Sequence, residues 1–450
     1  MKKSAGNISR REFIKNSSVS AAALGALTLA SPLSAFAAGA GQKKRRMALV
    51  GTGSRGISMW GSSLVRDYGE YLEMVGLCDI NSKRLEVARK AIGKHIPVFT
   101  DFDKMVRTTK PDCVIVTTVD SYHAKYVIRA MELGCDVLCE KPLCTDAAQA
   151  QAIIEACKRT GRKLEVTFNA RYGGTATKAK ELLMEGAIGE VYSVDYAEFL
   201  DLDHGASYFR RWHAFKENSG TLLVHKASHH FDELNWWLDA DPVEVVAYGR
   251  LNKYGINGPF RHATCRQCIY KDKCEFFWDI TKNKWFMELY VGCESEDGYY
   301  RDACLYRRGI NIYDTMSVQV KYDNNTLVTY SLNATVPYEG QYIVFNGSKG
   351  RLELHNYDRS TWNVPPRSNI RLLRNFKEPE IIPPVKRKAG THGGADTSIK
   401  DMLFKPGMKD ELGHRAGMRA GIMSAIIGIA AYTSIETRKK IKISDLINLA

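Results

Sequence analysis

Met47-Ala48-Leu49-Val50-Gly51-Thr52-Gly53-Ser54-Arg55-Gly56 is the stretch that decides the fold. A short apolar run enters a Gly-x-Gly-x-x-Gly turn, and Ile57, Trp60 and Leu64 follow with helical spacing. A second apolar run, Leu72–Cys78, ends on Asp79, 23 residues past Gly56. Strand, glycine turn, helix, strand and acid in that order predict a dinucleotide site. Gly51 allows the tight turn, Gly53 the approach of a pyrophosphate to the backbone, and Gly56 the close packing of helix on strand. Ser54 and Arg55 complete the turn, whose helix N-terminus receives the phosphates. Asp79 is placed to bind ribose hydroxyls, which favours NAD. Lys83 and Arg84 lie close by, so NADP stays open and Arg84 joins the cofactor set.

The alternation continues outward. Strands are expected over residues 113–118, 136–139 and 163–168, with helices over 83–92, 122–133 and 147–160. This pattern predicts an α/β fold: a doubly wound parallel sheet occupying residues 47–168, with helices on both faces. Ligands bind at the carboxyl ends of such strands. Two loops there stand out, the one bearing Thr118 and His123 and the one formed by Glu140-Lys141-Pro142. The second leaves a buried strand where a nicotinamide would lie. Pro142, often cis in such a turn, would aim Lys141 into the cleft.

The chain has 450 residues, 44% hydrophobic and 25% charged. That composition excludes a disordered scaffold, a small disulfide-stapled module and a multi-span membrane protein. A formal charge of +14 points at first to nucleic acid or an anionic surface. Residues 1–37 carry a net +4, however, and Lys43-Lys44-Arg45-Arg46 another +4, leaving +6 over the remaining chain. Nucleic acid is therefore not expected as a partner. Ser9-Arg10-Arg11-Glu12-Phe13-Ile14-Lys15 precedes an uncharged Ala/Leu/Ser-rich stretch ending in Ala35-Phe36-Ala37. Paired arginines before a mild apolar region and a small-x-small site predict a twin-arginine signal peptide over 1–37, a basic linker over 38–46 and a periplasmic destination. Such substrates generally cross already folded, usually because a cofactor is loaded inside the cell.

Beyond residue 168 the period becomes two. Runs over 191–200, 243–251, 316–322, 327–333, 341–345 and 351–355 predict a second sheet. Residues 413–433 are apolar but interrupted by Arg415 and Arg419, which predicts a buried helix rather than a stable membrane insertion. Residues 365–384 look irregular and exposed. Asp201-x-Asp203-His204, Tyr208 and Arg210-Arg211-Trp212-His213 combine hydrogen-bonding groups with aromatic faces, as sugar recognition requires. His204, Tyr208, Arg211 and Trp212 are candidate substrate residues. His392-Gly393-Gly394-x-Asp396 is a candidate loop closing on the cleft.

A Cys-rich insertion spans about 260–305. Cys265-x-x-Cys268, Cys274 and Cys304 (or Cys293) suit a structural zinc site, with disulfides and an iron–sulfur cluster as rivals. The remaining six cysteines fall on predicted elements as small core residues.

Taken together, the glycine turn, Asp79, Glu140-Lys141-Pro142, Asn169-x-Arg171-Tyr172, Gly186-x-x-Gly189 and Ser228-His229-His230-Phe231-Asp232 resemble the Gfo/Idh/MocA oxidoreductases over residues 47–450. The resemblance implies a Rossmann domain, then an α/β domain over 169–450 with a large open, mainly antiparallel sheet that often forms a dimer or tetramer interface. It implies a sugar or cyclitol substrate, Lys141 and His229 as catalytic groups, Asn169 on the cofactor side, and Arg171, Tyr172 and Lys226 on the substrate side. Members usually carry Asp-x-x-x-His; here His225 stands at the aspartate position, so the proton-transfer partner is open. By spacing alone, His225 and His229 share a helix face, an arrangement that also suits a metal.

An exported NAD enzyme meets little free cofactor, so each turnover must regenerate the bound dinucleotide. Paired oxidation and reduction of sugars or glycosides satisfies this. So does glycoside hydrolysis through transient oxidation, elimination and re-reduction, which needs no paired catalytic carboxylates.

Overall fold

Two sheets organise the protein, and their strands read differently for a physical reason. The first has the order β3-β2-β1-β4-β5-β6, with β1 (Arg45–Val50), β2 (Leu72–Cys78), β3 (Val98–Phe99), β4 (Cys113–Val116), β5 (Asp136–Cys139) and β6 (Leu164–Val166). Every pair in it is parallel. Helices on both faces bury it, so β4 is apolar throughout rather than alternating. The structure, a computed structural model, describes residues 43–360, 368–386 and 390–449. The export signal expected over residues 1–37 lies outside them.

Local chemistry sets the helix boundaries. Asn81, Asp101 and Asp146 each accept a backbone N–H three residues on, opening the helices Ser82–Ile92, Phe102–Thr109 and Ala147–Thr160. Gly161, at φ 64°, closes the last of these. The basic linker expected to 46 is shorter than read. Arg45 and Arg46 begin β1, because Asp136 and Glu73 stand opposite to neutralise them (3.4 and 3.6 Å).

The second sheet has nine strands in the order β14-β13-β12-β11-β7-β10-β9-β8-β15. They are β7 (Val191–Asp201), β8 (Pro242–Arg250), β9 (Thr315–Tyr322), β10 (Leu327–Val336), β11 (Tyr338–Gly347), β12 (Gly350–Ser360), β13 (Asn369–Arg374), β14 (Glu380–Ile382) and β15 (Ile441–Lys442). Only β7 and β10 run parallel. β9 alternates buried and exposed, since one face meets helices and the other does not. The segment expected to be irregular over 365–384 instead supplies β13 and β14 at the sheet edge, where pairing with β12 compensates for weak alternation.

The helix Met418–Thr437 is long and apolar enough to cross a membrane. Here it is buried between β8, the helix Ser228–Leu238 and the helix Ala147–Thr160. Gly428 brings it against the backbone of Leu223, where a Cβ would sit 2.2 Å from the carbonyl oxygen. That close approach seats the helix against the segment carrying His225. The same segment starts from Thr221, which holds a φ of 77° that a β-branched residue rarely adopts.

Candidate active site

The loops after β1, β4 and β5 converge at the switch point between β1 and β4. The three glycines of the first loop do three things. A Cβ on Gly51 would lie 2.6 Å from the Thr117 backbone, and one on Gly56 would lie 2.3 Å from the Gly51 oxygen. On Gly53 it would meet nothing nearer than the Tyr290 hydroxyl at 3.9 Å. Tight turn, close packing and an open backbone face are what a pyrophosphate requires.

Asp79 is held ready at the end of β2. Its Oδ2 accepts from the Thr52 N–H (2.7 Å) and hydroxyl (3.0 Å), and its Oδ1 from Asn81 N (3.0 Å). These residues fit NAD. They fit NADP poorly, because the insertion occupies the nearby cations: Arg84 pairs with Asp297 at 2.7 Å, and Lys83 donates to Ser295 at 2.7 Å. Glu296 takes the backbone N–H of Ser82 (2.6 Å) at the helix start. Tyr290, from the same insertion, accepts from Ser54 N at 3.1 Å.

Several expected cofactor residues hold each other instead. Arg55 donates to Glu140 (2.8 Å) and to Asp396 (3.0 Å), and Asn169 donates to Asp396 (2.7 Å). Burial would raise the Glu140 pKa, but Arg55 and the Trp60 indole outweigh it and hold the group lower. Asp396 is likewise held well below the usual carboxylate range by His392 and Arg55 against burial. The 392–396 loop, expected to close on the substrate cleft, packs against the dinucleotide turn through Arg55. His123 is not open to a ligand: its ring nitrogens face the Pro142 oxygen (2.6 Å) and the Thr118 oxygen (3.1 Å). It braces the loop at the cis Lys141–Pro142 bond.

Lys141 lies at the heart of the cleft. Its Nζ donates to the His225 oxygen at 2.8 Å, and burial pushes its pKa down to about 8. His225 Nδ1 stands 2.5 Å from Asp120 Oδ2. Burial keeps Asp120 well above its ordinary pKa and the His225 imidazole well below its own. Asp120 was not among the expected site residues; its one sequence signal was its place in the loop after β4. His225 and His229 do not share a continuous helix, since Leu222–His225 and Ser228–Leu238 are separate elements. His229 packs edge-on to Phe168 at 6.0 Å, its Nδ1 buried without a partner.

Of the expected substrate residues, four gather beside His225. Tyr208 and Trp212 lie 5.5 and 5.7 Å from its ring, His204 stacks on Tyr208 and bonds Glu339 (2.8 Å), and Arg211 lies over Tyr208. Lys226 pairs with the fully buried Glu198 at 3.1 Å. Arg171 and Tyr172 are not in this group. Arg171 makes two 2.7 Å bonds to the buried Asp232, and Tyr172 is buried against His414.

The zinc expectation is corrected. Among the described residues no group of three or more His, Cys, Asp or Glu side chains forms a metal site, and Cys265, Cys268, Cys274 and Cys304 are free thiols. Protein donors reach three of them: Cys265 takes a bond from Arg210 (2.9 Å), Cys304 from Tyr306 N (3.4 Å) and Cys274 from the Phe276 backbone. The insertion is organised instead by the Arg266–Glu294 pair (2.7 Å), a Thr264–Ala303 bridge and stacked Phe260 and Tyr270.

Comparison with known families places this geometry. Residues 45–168 match the NAD-binding Rossmann fold of the Gfo/Idh/MocA oxidoreductase family, and residues 180–443 match its C-terminal alpha/beta domain. The chain belongs to this family. It is 35% identical over 428 residues to the "Putative oxidoreductase YteT" of Bacillus subtilis, covering 90% of this chain and 99% of that one. A family 109 glycosyl hydrolase of Akkermansia muciniphila is 26% identical over 197 residues, 40% of each chain. Other partial matches are sugar and inositol dehydrogenases. The WlbA dehydrogenase of Chromobacterium violaceum, solved with NADH and UDP-GlcNAcA, has the same fold (TM-score 0.62, 18% identity, 89% of this chain and 96% of that one).

Proposed function

We propose that this oxidoreductase is exported to the periplasm, keeps its NAD bound, and moves hydride to and from a hydroxyl-bearing carbon of a sugar or glycoside. The chain Lys141–His225–Asp120 carries the reading. It sets an amine with a lowered pKa and an oriented imidazole beside the carboxyl ends of β4 and β5, where the nicotinamide of a bound dinucleotide would lie. The sugar dehydrogenases among the relatives and the aromatic-lined polar cleft support the substrate class.

Bound NAD supplies the acceptor for a hydride. The protein's own residues manage the proton. Lys141 Nζ, in its neutral form, takes the substrate hydroxyl proton as the C–H hydride leaves, so the carbinol becomes a carbonyl. His225 Nδ1 is engaged by Asp120, and its Nε2 makes no hydrogen bond among the described residues, so that nitrogen is left to orient the substrate oxygen. In the return half-reaction a second carbonyl compound accepts the hydride, and Lys141 returns the proton to its oxygen. The twin-arginine pattern and the closing insertion support a retained cofactor. Family resemblance extends the proposal to a dimer or tetramer, which light scattering tests.

The match to a family 109 hydrolase favours a second reading, net glycoside hydrolysis. One experiment separates the two. Purified mature protein is denatured and its supernatant assayed for NAD, and intact protein is incubated with glycosides with and without a carbonyl acceptor. Released NAD and keto-sugar formed only with acceptor are expected. Free sugar without acceptor selects hydrolysis, and absence of NAD removes both.

A further inference from the structure

Most arginines around the cleft are matched by acids; Arg210 and Arg307 are not, and donate instead to the Cys265 sulfur and to the carbonyl oxygens of Phe276, Phe209, Cys304 and Arg211. Arg55 meets Glu140 and Asp396, Arg84 meets Asp79 and Asp297, Arg171 meets Asp232, and Arg266 meets Glu294 and Asp302. Arg211 and Arg301 have no carboxylate among the described residues. Arg211 donates only from Nε, to the Ser207 oxygen (2.9 Å), with its guanidinium 5.0 Å from the Tyr208 ring. Arg301 lies over Tyr290 and Phe286 (5.0 and 5.1 Å). Stacking of this kind covers a guanidinium face and leaves its N–H edge free.

The two cations are close enough that burial and then the Arg301 charge push Arg211 down to about 10. Their surroundings are also incomplete. His213 Nδ1, on a ring 4.1 Å from that of His225, is buried without a hydrogen-bond partner, and the Tyr299 hydroxyl has Arg301 itself as its neighbour. Two like charges beside an orphaned imidazole nitrogen form an unfavourable arrangement until an anion enters it.

We propose that Arg211 and Arg301, with Tyr299 and His213, form a subsite for an anionic group on the substrate, the carboxylate of a uronic-acid sugar. A planar fork of donors matches a carboxylate in bidentate fashion. The dinucleotide pyrophosphate is the other source of such an anion, since Tyr290 reaches Ser54 N. Placement favours the substrate: Arg211 lies over the Tyr208 ring, which stands 5.5 Å from the His225 ring at the reacting end of the cleft.

The proposal rests on reading the cleft as a sugar site, and binding tests it without turnover. Protein carrying its own cofactor is titrated calorimetrically with methyl glucuronide, galacturonide and mannuronide and with the matching neutral methyl hexosides. At least one acid is expected to bind tenfold or more tightly than its neutral partner. Arg211→Gln should erase that preference, and Arg301→Gln should reduce it, with wild-type amounts of NAD released on denaturation. Equal binding of every acid and its neutral partner by the wild-type protein overturns the subsite. So does an Arg211→Gln protein that loses NAD yet keeps the acid preference. Acid preference without any hydride transfer would uphold the subsite and remove the oxidoreductase reading instead.

Discussion

His225 Nδ1 lies 2.5 Å from Asp120 Oδ2, joining the loop after β4 to a segment 105 residues away in the second domain. Position 225, where the family resemblance led to an expected aspartate, carries a histidine. A carboxylate reaches it from the other domain.

If that carboxylate orients the imidazole, Asp120→Asn lowers kcat by about 100-fold or more, within the range for a misdirected acid–base group. His225→Gln should do the same, and the double variant should be no worse than either single one. Steady-state kinetics check this, with NAD content measured on each variant. Additive losses would separate the two residues.

Lys141 sets the pH dependence. With its pKa pushed down to about 8 by burial, the neutral amine that accepts a proton predominates only above that value. kcat/KM for hydroxyl oxidation is expected to climb about tenfold per pH unit on the acid side and level above pH 8. Carbonyl reduction, which needs the protonated amine, should show the reverse. Lys141→Arg, protonated throughout, should lose activity and the climb together.

Cofactor choice depends on Glu296 and Asp297. Removing both with alanine frees the Ser82 amide and Arg84 to meet a 2′-phosphate. Discrimination of NAD over NADP should fall at least about tenfold, the effect of roughly 1.4 kcal/mol or more of new charge-assisted bonding. Equilibrium loading of the two dinucleotides in competition measures it.

Arg171 is a structural cation. Arg171→Ala leaves Asp232 buried and unpaired, which costs about 3–5 kcal/mol. Denaturant midpoints should fall accordingly, while the folded fraction keeps its sugar affinity. A loss of affinity without a loss of stability would return Arg171 to the cleft.

Much of this was legible in the chain, for reasons that differ by residue. Gly51, Gly53, Gly56 and Asp79 act through a contiguous strand–turn–helix unit, so spacing alone located them. Lys141 was legible because it leaves a buried strand. Asp120 was not, since its partner arrives through tertiary packing, and neither was the pairing of Arg55, Glu140 and Asn169 around Asp396. Arg171 and Tyr172 sit beside site motifs in sequence but are claimed by Asp232 and His414 in space. The cysteines of the insertion suggested a metal by spacing, whereas arginine, carboxylate and aromatic contacts form its framework.

Residues 290–297 bond to both dinucleotide loops at once, through Ser54, Asn81, Ser82, Lys83 and Arg84. Widening the crevice therefore means parting all of these contacts together, a local unfolding event rather than a simple dissociation. That gives the assembly a sequence in time. A dinucleotide seated while the insertion is still undocked would be held by all of these contacts once it closes, so its release would wait on that local unfolding.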